Sequence, residues 1–477
     1  MAKILTATNE KLAELEARKA KRREEILNTP SMEVPKDVVT YYISSINGDD
    51  NNDGKTPETA WATLDKFNNC GAPEGAWVCL ERGSSWRGQI QLWKPATVTA
   101  YGEGPKPEII GSAFDGTKYG SWTEVAKNIW RFSEIFYEDV GMLFFNDGDL
   151  FARKVTLSYK DGEVKDFKTG KPWKGIESLC ENYEYILDFG GPTYKSEEGT
   201  YLYLYCDKGN PAEVFDRIEF GGAGYLVWVL TDHDVTVDNL CLRFGGAHGI
   251  ASATIKNLIV TNCEIGYMGG CQHRYTNEGN PTRYGNGVEI FGGCDNYVID
   301  NCWIYECYDA GVTHQFIEFG SDRAVTMKEV HYTNNIIEKC IYNIEYFLTH
   351  TKVPNVDRYM ENYYIKGNFL THAGYGFGAQ RPDTTVDSHL KSWEFTNFQN
   401  GEFIIEDNVF MYSKYMMFHT VCDDDKDAPI VRNNIIVQHE GGEFGRFGPK
   451  PSTLLMYNEE TANMEELKDN EFYLAKK

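Results

Sequence analysis

No stretch of this 477-residue chain approaches the ~20 continuous apolar residues that a membrane-spanning helix needs. Its 12 cysteines contain no C-x-x-C pair, which removes zinc-ribbon and thioredoxin-like readings and leaves reduced, buried thiols as the expected state. Positive charge is scarce. Lys and Arg number 47 against 71 Asp and Glu, a formal net charge of -24. A surface that acidic repels phosphate backbones and anionic lipid, so neither nucleic acid nor a membrane is an expected partner. The segment from Met1 to Pro30 is no secretory signal, because its apolar residues are scattered among Arg18, Lys19, Lys21, Arg22 and Arg23. The expectation is a cytoplasmic protein, or a secreted one if a leader has been removed.

Aromatic residues and glycine are plentiful. There are 30 Tyr, 10 Trp and 45 Gly, which suits a β-rich protein with tight turns and flat rings available for stacking. The apolar and charged fractions, 42% and 25%, are those of a globular protein. Asn9 to Asn28 reads as a helix with Leu12, Leu15, Ile26 and Leu27 on one stripe. It is expected to pack on the body, the alternative being a partner-binding or homo-oligomer-forming helix. The texture along the chain divides it into a helix and linker (1–36), a cap with the first coils (37–111), a looser β-rich insertion (112–220), a main repetitive body (221–447) and a C-terminal cap segment (448–477). The turn Asp49, Asn51, Asp53, Gly54 resembles the start of a calcium loop, but Ala60 stands where the twelfth-position glutamate would be. An Asx-rich turn is therefore preferred there. No cofactor is expected; a structural Ca2+ is the alternative, at this turn or at the acidic run Asp423, Asp424, Asp425 and Asp427.

Beyond Gly221 a pattern recurs: a β-branched run, an asparagine, an apolar residue, a turn, then another short strand. The asparagines fall at 239, 262, 301, 335, 368, 408 and 434, at intervals of 23, 39, 34, 33, 40 and 26. Periods of that size signal a solenoid, and units built of short strands make it a parallel β-helix. The fold class is thus all-β, a parallel β-helix with an antiparallel insertion and an N-terminal helix. Asparagine suits a corner that needs a left-handed residue, and its amide can form a ladder between rungs. Cys241, Cys263, Cys302 and Cys340 are expected to fill the core of successive coils.

The run Tyr41-Tyr42-Ile43-Ser44 followed by the Asn-Asp-Gly turn and Thr56-Pro57-Glu58-Thr59-Ala60-Trp61-Ala62-Thr63-Leu64 resembles the opening of right-handed β-helix proteins of the pectate-lyase-like superfamily. Glu81 to Gly88, Ala100-Tyr101-Gly102, Asn286-Gly287-Val288-Glu289-Ile290 and Tyr308 to Gln315 extend the likeness. It is similar to the β-helix glycoside hydrolases that include xylanases, α-L-fucosidases and β-xylosidases. The resemblance implies a carbohydrate-active enzyme working on plant-type xylo- or fuco-oligosaccharides.

Parallel rungs stack at ~4.8 Å, so residues at equivalent strand positions form columns. Aligning Ile250, Val288, Val312, Ile344, Phe377 and Met417 as inward residues gives the outward column Ala251, Glu289, Thr313, Glu345, Gly378, Phe418. Two positions on, the column contains Phe291, Gln315, Phe347 and Gln380. Glu289 and Glu345, with Asp309 at the turn between them, are the candidate catalytic carboxylates: one protonated to aid the leaving group, one ionised. His314, Gln315, Arg274, Arg283, Gln380 and Arg381 are candidate substrate-binding residues, although His314 also reads as a core histidine. His248 and His419 are lesser candidates on the same face. Glycoside hydrolysis leads. A polysaccharide lyase or uronate epimerase, drawing on Arg274, Arg283 and His314, is the alternative, and a non-catalytic carbohydrate-binding solenoid is the third.

Overall fold

A strand of three to nine residues, then a single left-handed residue, then another strand: this sequence rhythm bends the backbone into coils. A representative coil runs through Cys294–Asp300, Trp303–Cys307 and Ala310–Phe316 before the next begins at Val325. In the computed structural model, which describes residues 4–316, 322–348, 356–382, 386–392, 401–420, 428–447, 454–456, 467 and 469–476, equivalent strands stack into three long sheets. Pairing within them is parallel, as in Val288 with Val312 and Val312 with Ile344. The exception among the described residues is the antiparallel pair Glu443–Phe447 and Leu454–Met456. Inward side chains such as Val98, Val237, Val260, Ile299, Tyr332 and Ile365 form one continuous core down the axis. The chain is a parallel β-helix.

The asparagine series divides into two positions. Asn239, Asn262 and Asn301 are the left-handed corner residues, with φ of 60°, 55° and 51°, and Asn334, Gly367, Asp407 and Asn433 take the same place in later coils. Asn335, Asn368, Asn408 and Asn434 come one residue later and point into the coil. Each donates its amide to the next asparagine's Oδ1, at 3.0, 2.9, 2.9 and 2.8 Å, ending on Asn470. Cys263 and Cys302 hold the inner position in the earlier coils, and Cys302 N donates to Asn335 Oδ1 at 2.8 Å. Cys241 and Cys340 are buried elsewhere in their coils, Cys241 in strand register with Glu264.

Between Ile110 and Gly222 the chain leaves the coil. Ser112–Asp115 and Ile218–Gly222 pair antiparallel at the base of the insertion, and Ile129–Glu138 and Lys195–Tyr205 pair antiparallel further out. Trp122, Phe132, Leu143, Tyr185 and Phe220 give it a core of its own. In the Asp49–Asp53 turn, Asp49 accepts from Asn51 N at 2.9 Å and Asp53 from Thr59 Oγ1 at 2.7 Å, the bonding of an Asx-rich turn. The acidic run at 423–427 lies outside the described residues.

Helix Asn9–Leu27 starts at a Thr8 cap whose Oγ1 accepts from Lys11 N at 3.1 Å. Its Leu15 and Ile26 are fully buried against Ile336, Phe369, Val409 and Val437 of the body, with Leu12 packed beside them, so the helix is seated on the chain itself. Ile4–Thr6, just before the helix, adds a parallel strand to Glu471–Ala475 at one end of the solenoid. Just after it, Thr29 O and Pro30 O accept from Asn239 Nδ2 at 3.0 and 2.8 Å, many coils away. Its 19 residues are about 29 Å long, close to six rungs at ~4.8 Å. Leu15→Ala removes a fully buried side chain from this seam and is expected to destabilise the protein by about 2–5 kcal/mol, read as a lower urea midpoint.

Candidate active site

The third sheet carries the carboxylates. Its register sets one outward column: Gln91, Trp228, Ala251, Glu289, Thr313, Glu345, Lys391, His419 and Arg446. Glu289 and Glu345 stand two rungs apart, about 9.6 Å along the backbone stack. The sequence alignment fails beyond Glu345. Phe377–Gln380 is a 3-10 turn in a connecting loop, and the next rung is Ser388–Ser392, where Leu390 takes the core place and Lys391 replaces Gly378 in the column. One rung later Phe418 faces the core and His419 lies outward, because Leu390 pairs with Phe418 and not with Met417.

Glu289 is almost fully buried and accepts three N–H donors. His248 Nε2 lies 2.6 Å from Oε2, Asn286 Nδ2 donates to Oε2 at 2.9 Å, and Gln315 Nε2 donates to Oε1 at 3.0 Å. Asn286 N donates to His248 Nδ1 at 3.1 Å, which assigns the ring proton to Nε2, facing the carboxylate. Burial acts to raise the carboxyl pKa, but His248 and the amide donors outweigh it, and the net shift is downward. Glu289 is held ionised.

Glu345 has the opposite setting. It is 3% exposed and ion-paired with Lys391. Burial raises its pKa; Lys391 opposes that, while the nearby charge of Asp309 adds to it, and the net shift is upward. Asp309 accepts from Arg381 Nη1 at 2.6 Å at the margin of the same site. Between the two glutamates in the column, Thr313 is fully buried and its Oγ1 has no hydrogen-bond partner among the described residues. An unsatisfied buried hydroxyl between two carboxylates is a polar feature of the kind found at functional sites.

Rings wall the site on one side. Successive centroids lie 5.8 Å apart from Trp228 to Tyr225, 5.3 Å to His248, 5.1 Å to Tyr284 and 4.8 Å to His273. The His273 imidazole is pushed down to about 4, by burial first and then by Arg274 and His248, so it is neutral at ordinary pH. Arg274, on the same hairpin, is exposed at the rim.

Three of the residues expected to bind substrate face elsewhere. His314 is fully buried in the core, with Nδ1 2.5 Å from Tyr332 Oη and its pKa pushed down to about 3 by burial. Strand alternation turns it inward, since Thr313 points out. Arg283 is buried and donates to the backbone oxygens of Gly270 and Gly141 at 2.6 and 2.9 Å, pinning the hairpin to the insertion. Gln380 accepts from Lys154 N at 2.9 Å and donates to Ala152 O at 3.3 Å, a loop-to-insertion clamp. The sequence reading missed Lys391 altogether. It ranked His248 low, although His248 precedes Ile250 by the same two positions that separate Asn286 from Val288.

No family model matches the chain. A stretch of 92 residues is 35% identical to a lacto-N-biosidase of Bifidobacterium longum subsp. longum, covering 17% of this chain and 6% of that protein. The chain thus spans a small fraction of the length of the curated relative that it matches. Among solved structures it is similar to XylC in complex with xylose, at 12% identity over 92% of this chain and 82% of that one, with a TM-score of 0.40. A glycoside hydrolase matches at 10% identity over 86% and 94%, with a TM-score of 0.44. A GH136 lacto-N-biosidase from Eubacterium ramulus matches at 14% identity over 91% and 68%, with a TM-score of 0.40.

Proposed function

We propose that this protein is a glycoside hydrolase acting on oligosaccharides, with Glu345 as general acid and Glu289 as the ionised carboxylate that activates water. The observation that carries this reading is the pair of oppositely tuned carboxylates on one outward column, either side of an unpartnered Thr313 hydroxyl. The stretch shared with a lacto-N-biosidase supports the same chemistry. Glu345 gives its proton to the glycosidic oxygen as that bond breaks. Glu289 takes a proton from the attacking water, and its three N–H donors stabilise the negative charge it carries before that transfer. A two-rung backbone separation of about 9.6 Å leaves room for the water and lies nearer the ~6.5–9.5 Å carboxyl spacing of inverting enzymes than the ~5–5.5 Å of retaining ones, which favours inversion. Asp309, ion-paired with Arg381, acts on Glu345 through its charge and adds to the upward shift that burial begins. Arg283 and His314, two of the groups a lyase reading drew on, are engaged in backbone and core contacts.

A screen of aryl glycosides and short oligosaccharides, including xylo-, fuco- and lacto-N-biose-containing ones, tests the reading by reducing ends and ultraviolet absorbance together. New reducing ends of inverted anomeric configuration, without an unsaturated chromophore, are expected. An absorbing unsaturated product overturns the hydrolase in favour of a lyase. The pH dependence of kcat/KM is expected to be a bell broader than two ordinary carboxyls would give. Its acid limb lies below the usual carboxylate range, because Glu289 must stay ionised, and its alkaline limb lies above it, because Glu345 must stay protonated.

A further inference from the structure

A general acid begins neutral and ends as a carboxylate, so a cation fixed beside it is worth more as the proton leaves than before. Lys391 is such a cation. It stands opposite Glu345 on the neighbouring parallel strand, in register, and its Nζ donates to Glu345 Oε1. Two rings hold the ammonium in place, their centres 4.5 Å away at Tyr342 and 5.3 Å away at Phe347. Both rings and the Glu345 carboxyl are buried, and the lysine side chain is itself only 17% exposed. Among the described residues, the other charged or titratable groups around Glu345 are Asp309 and its partner Arg381, Tyr342 and, beyond that ring, Asp387. In the column, Glu289 stands two rungs back and His419 one rung past Lys391.

We infer that Lys391 is a positioning residue for the acid step: it holds the Glu345 carboxyl and stabilises the negative charge that forms there as the glycosidic bond breaks. This rests on the hydrolase reading. In the step, the Glu345 O–H bond breaks and its proton passes to the glycosidic oxygen, which departs with the electron pair of the broken C–O bond. Water attacks the sugar carbon and gives its proton to Glu289. Lys391 gives up no proton. A neutral carboxyl beside an ammonium becomes a carboxylate–ammonium pair, and solvent later returns the proton to Glu345. The attraction is weak before the transition state and strong within it, which is the condition for raising kcat as well as affinity. An ammonium boxed by Tyr342 and Phe347 is already aimed at the carboxyl when the charge develops, so little reorganisation is spent at that moment. Dependence on Lys391 is greatest for a poor leaving group, which needs the most complete proton transfer.

The test uses the full chain and the 2,4-dinitrophenyl, 4-nitrophenyl and phenyl glycosides of the sugar that the substrate screen identifies. Lys391→Gln keeps a hydrogen-bond donor and removes the charge. It should lower kcat about 10²-fold on the phenyl glycoside and no more than about threefold on the dinitrophenyl one, with KM nearly constant. The alkaline limb of kcat/KM should move to higher pH, because the charge removed is one that opposes the upward shift of Glu345. Lys391→Arg, which keeps the charge, should restore most of the phenyl-glycoside rate. In a Glu345→Gln background, Lys391→Gln should cost nothing further, because the proton it acts through is gone. The infrared band of the protonated carboxyl, assigned by its loss in Glu345→Gln, reads the same effect without turnover. Its titration midpoint should rise in Lys391→Gln and stay near the parent's in Lys391→Arg. Lys391→Met repeats each measurement should the buried amide unfold the chain. Equal losses on all three leaving groups, a loss that adds in full to that of Glu345→Gln, or an unmoved infrared midpoint makes Lys391 a structural partner and overturns the inference while the hydrolase stands. A Glu345→Gln variant that cleaves the phenyl glycoside at the parental rate overturns the acid assignment and this inference with it.

Discussion

Glu345→Gln is expected to lower kcat by about 10²–10⁴-fold on an unactivated oligosaccharide, the usual contribution of a positioned general acid. The amide is nearly isosteric and keeps an oxygen for Lys391, so the ion-pair partner is not left wholly unpaired and the fold is retained. Glu289→Gln should cost at least as much, since the amide can neither accept the water proton nor balance its three donors. The two variants separate on the leaving group. An aryl glycoside with a strongly acidic phenol needs no protonation to depart, so Glu345→Gln should recover most of its rate on that substrate while Glu289→Gln stays slow. Glu345→Gln should also lose the alkaline limb of the pH profile. Asp309→Asn removes the charge that helps keep Glu345 protonated and should move that limb toward lower pH. Near-parental rates for both glutamine variants on a natural linkage would remove these residues from catalysis.

The largest stability effect is expected at Asn408. Its Nδ2 donates to Asn434 Oδ1 and to Ile365 O, and its Oδ1 accepts from the backbone and side-chain nitrogens of Asn368. Asn408→Ala removes four bonds from the core; Asn368 N loses its partner, while Asn434 Oδ1 keeps the Asn408 N–H and Asn368 Nδ2 keeps Tyr332 O, and at ~1–3 kcal/mol per orphaned group a total loss of about 3–5 kcal/mol is expected. Asn408→Cys should cost less, because Cys263 and Cys302 already hold this position in earlier coils. Urea midpoints for the two variants, compared at equal slope, decide the order.

The column that carries the candidate site was legible in the sequence as far as Glu345 because Ile250, Val288 and Val312 each follow a glycine, and Ile344 follows its corner Asn334 by 10 residues much as Val312 follows Asn301 by 11. It was lost at the next rung for a local reason. Gly376-Phe377-Gly378 has the texture of a corner and strand start, whereas the true strand, Ser388–Ser392, buries Ser388, His389 and Ser392 and shows no apolar run. Lys391 was hidden with it. The two asparagine positions were merged because their surroundings look alike in sequence: Asn334 and Asn335 are adjacent, as are Asn433 and Asn434, and only backbone dihedral and burial tell corner from ladder. Arg283 and Gln380 were misplaced because their partners are backbone oxygens and nitrogens, which side-chain chemistry in the sequence does not announce.

A stack of coils in which each layer touches only its neighbours ordinarily frays from its ends, layer by layer. Here the segment from Ile4 to Pro30 is stitched to the final layer by a strand and to a layer near the opposite end by Asn239, so peeling either terminus pulls on the other. Melting is thereby drawn toward a single all-or-none event, and the carboxylate column in the middle of the stack stays braced even when an outer layer is loosened.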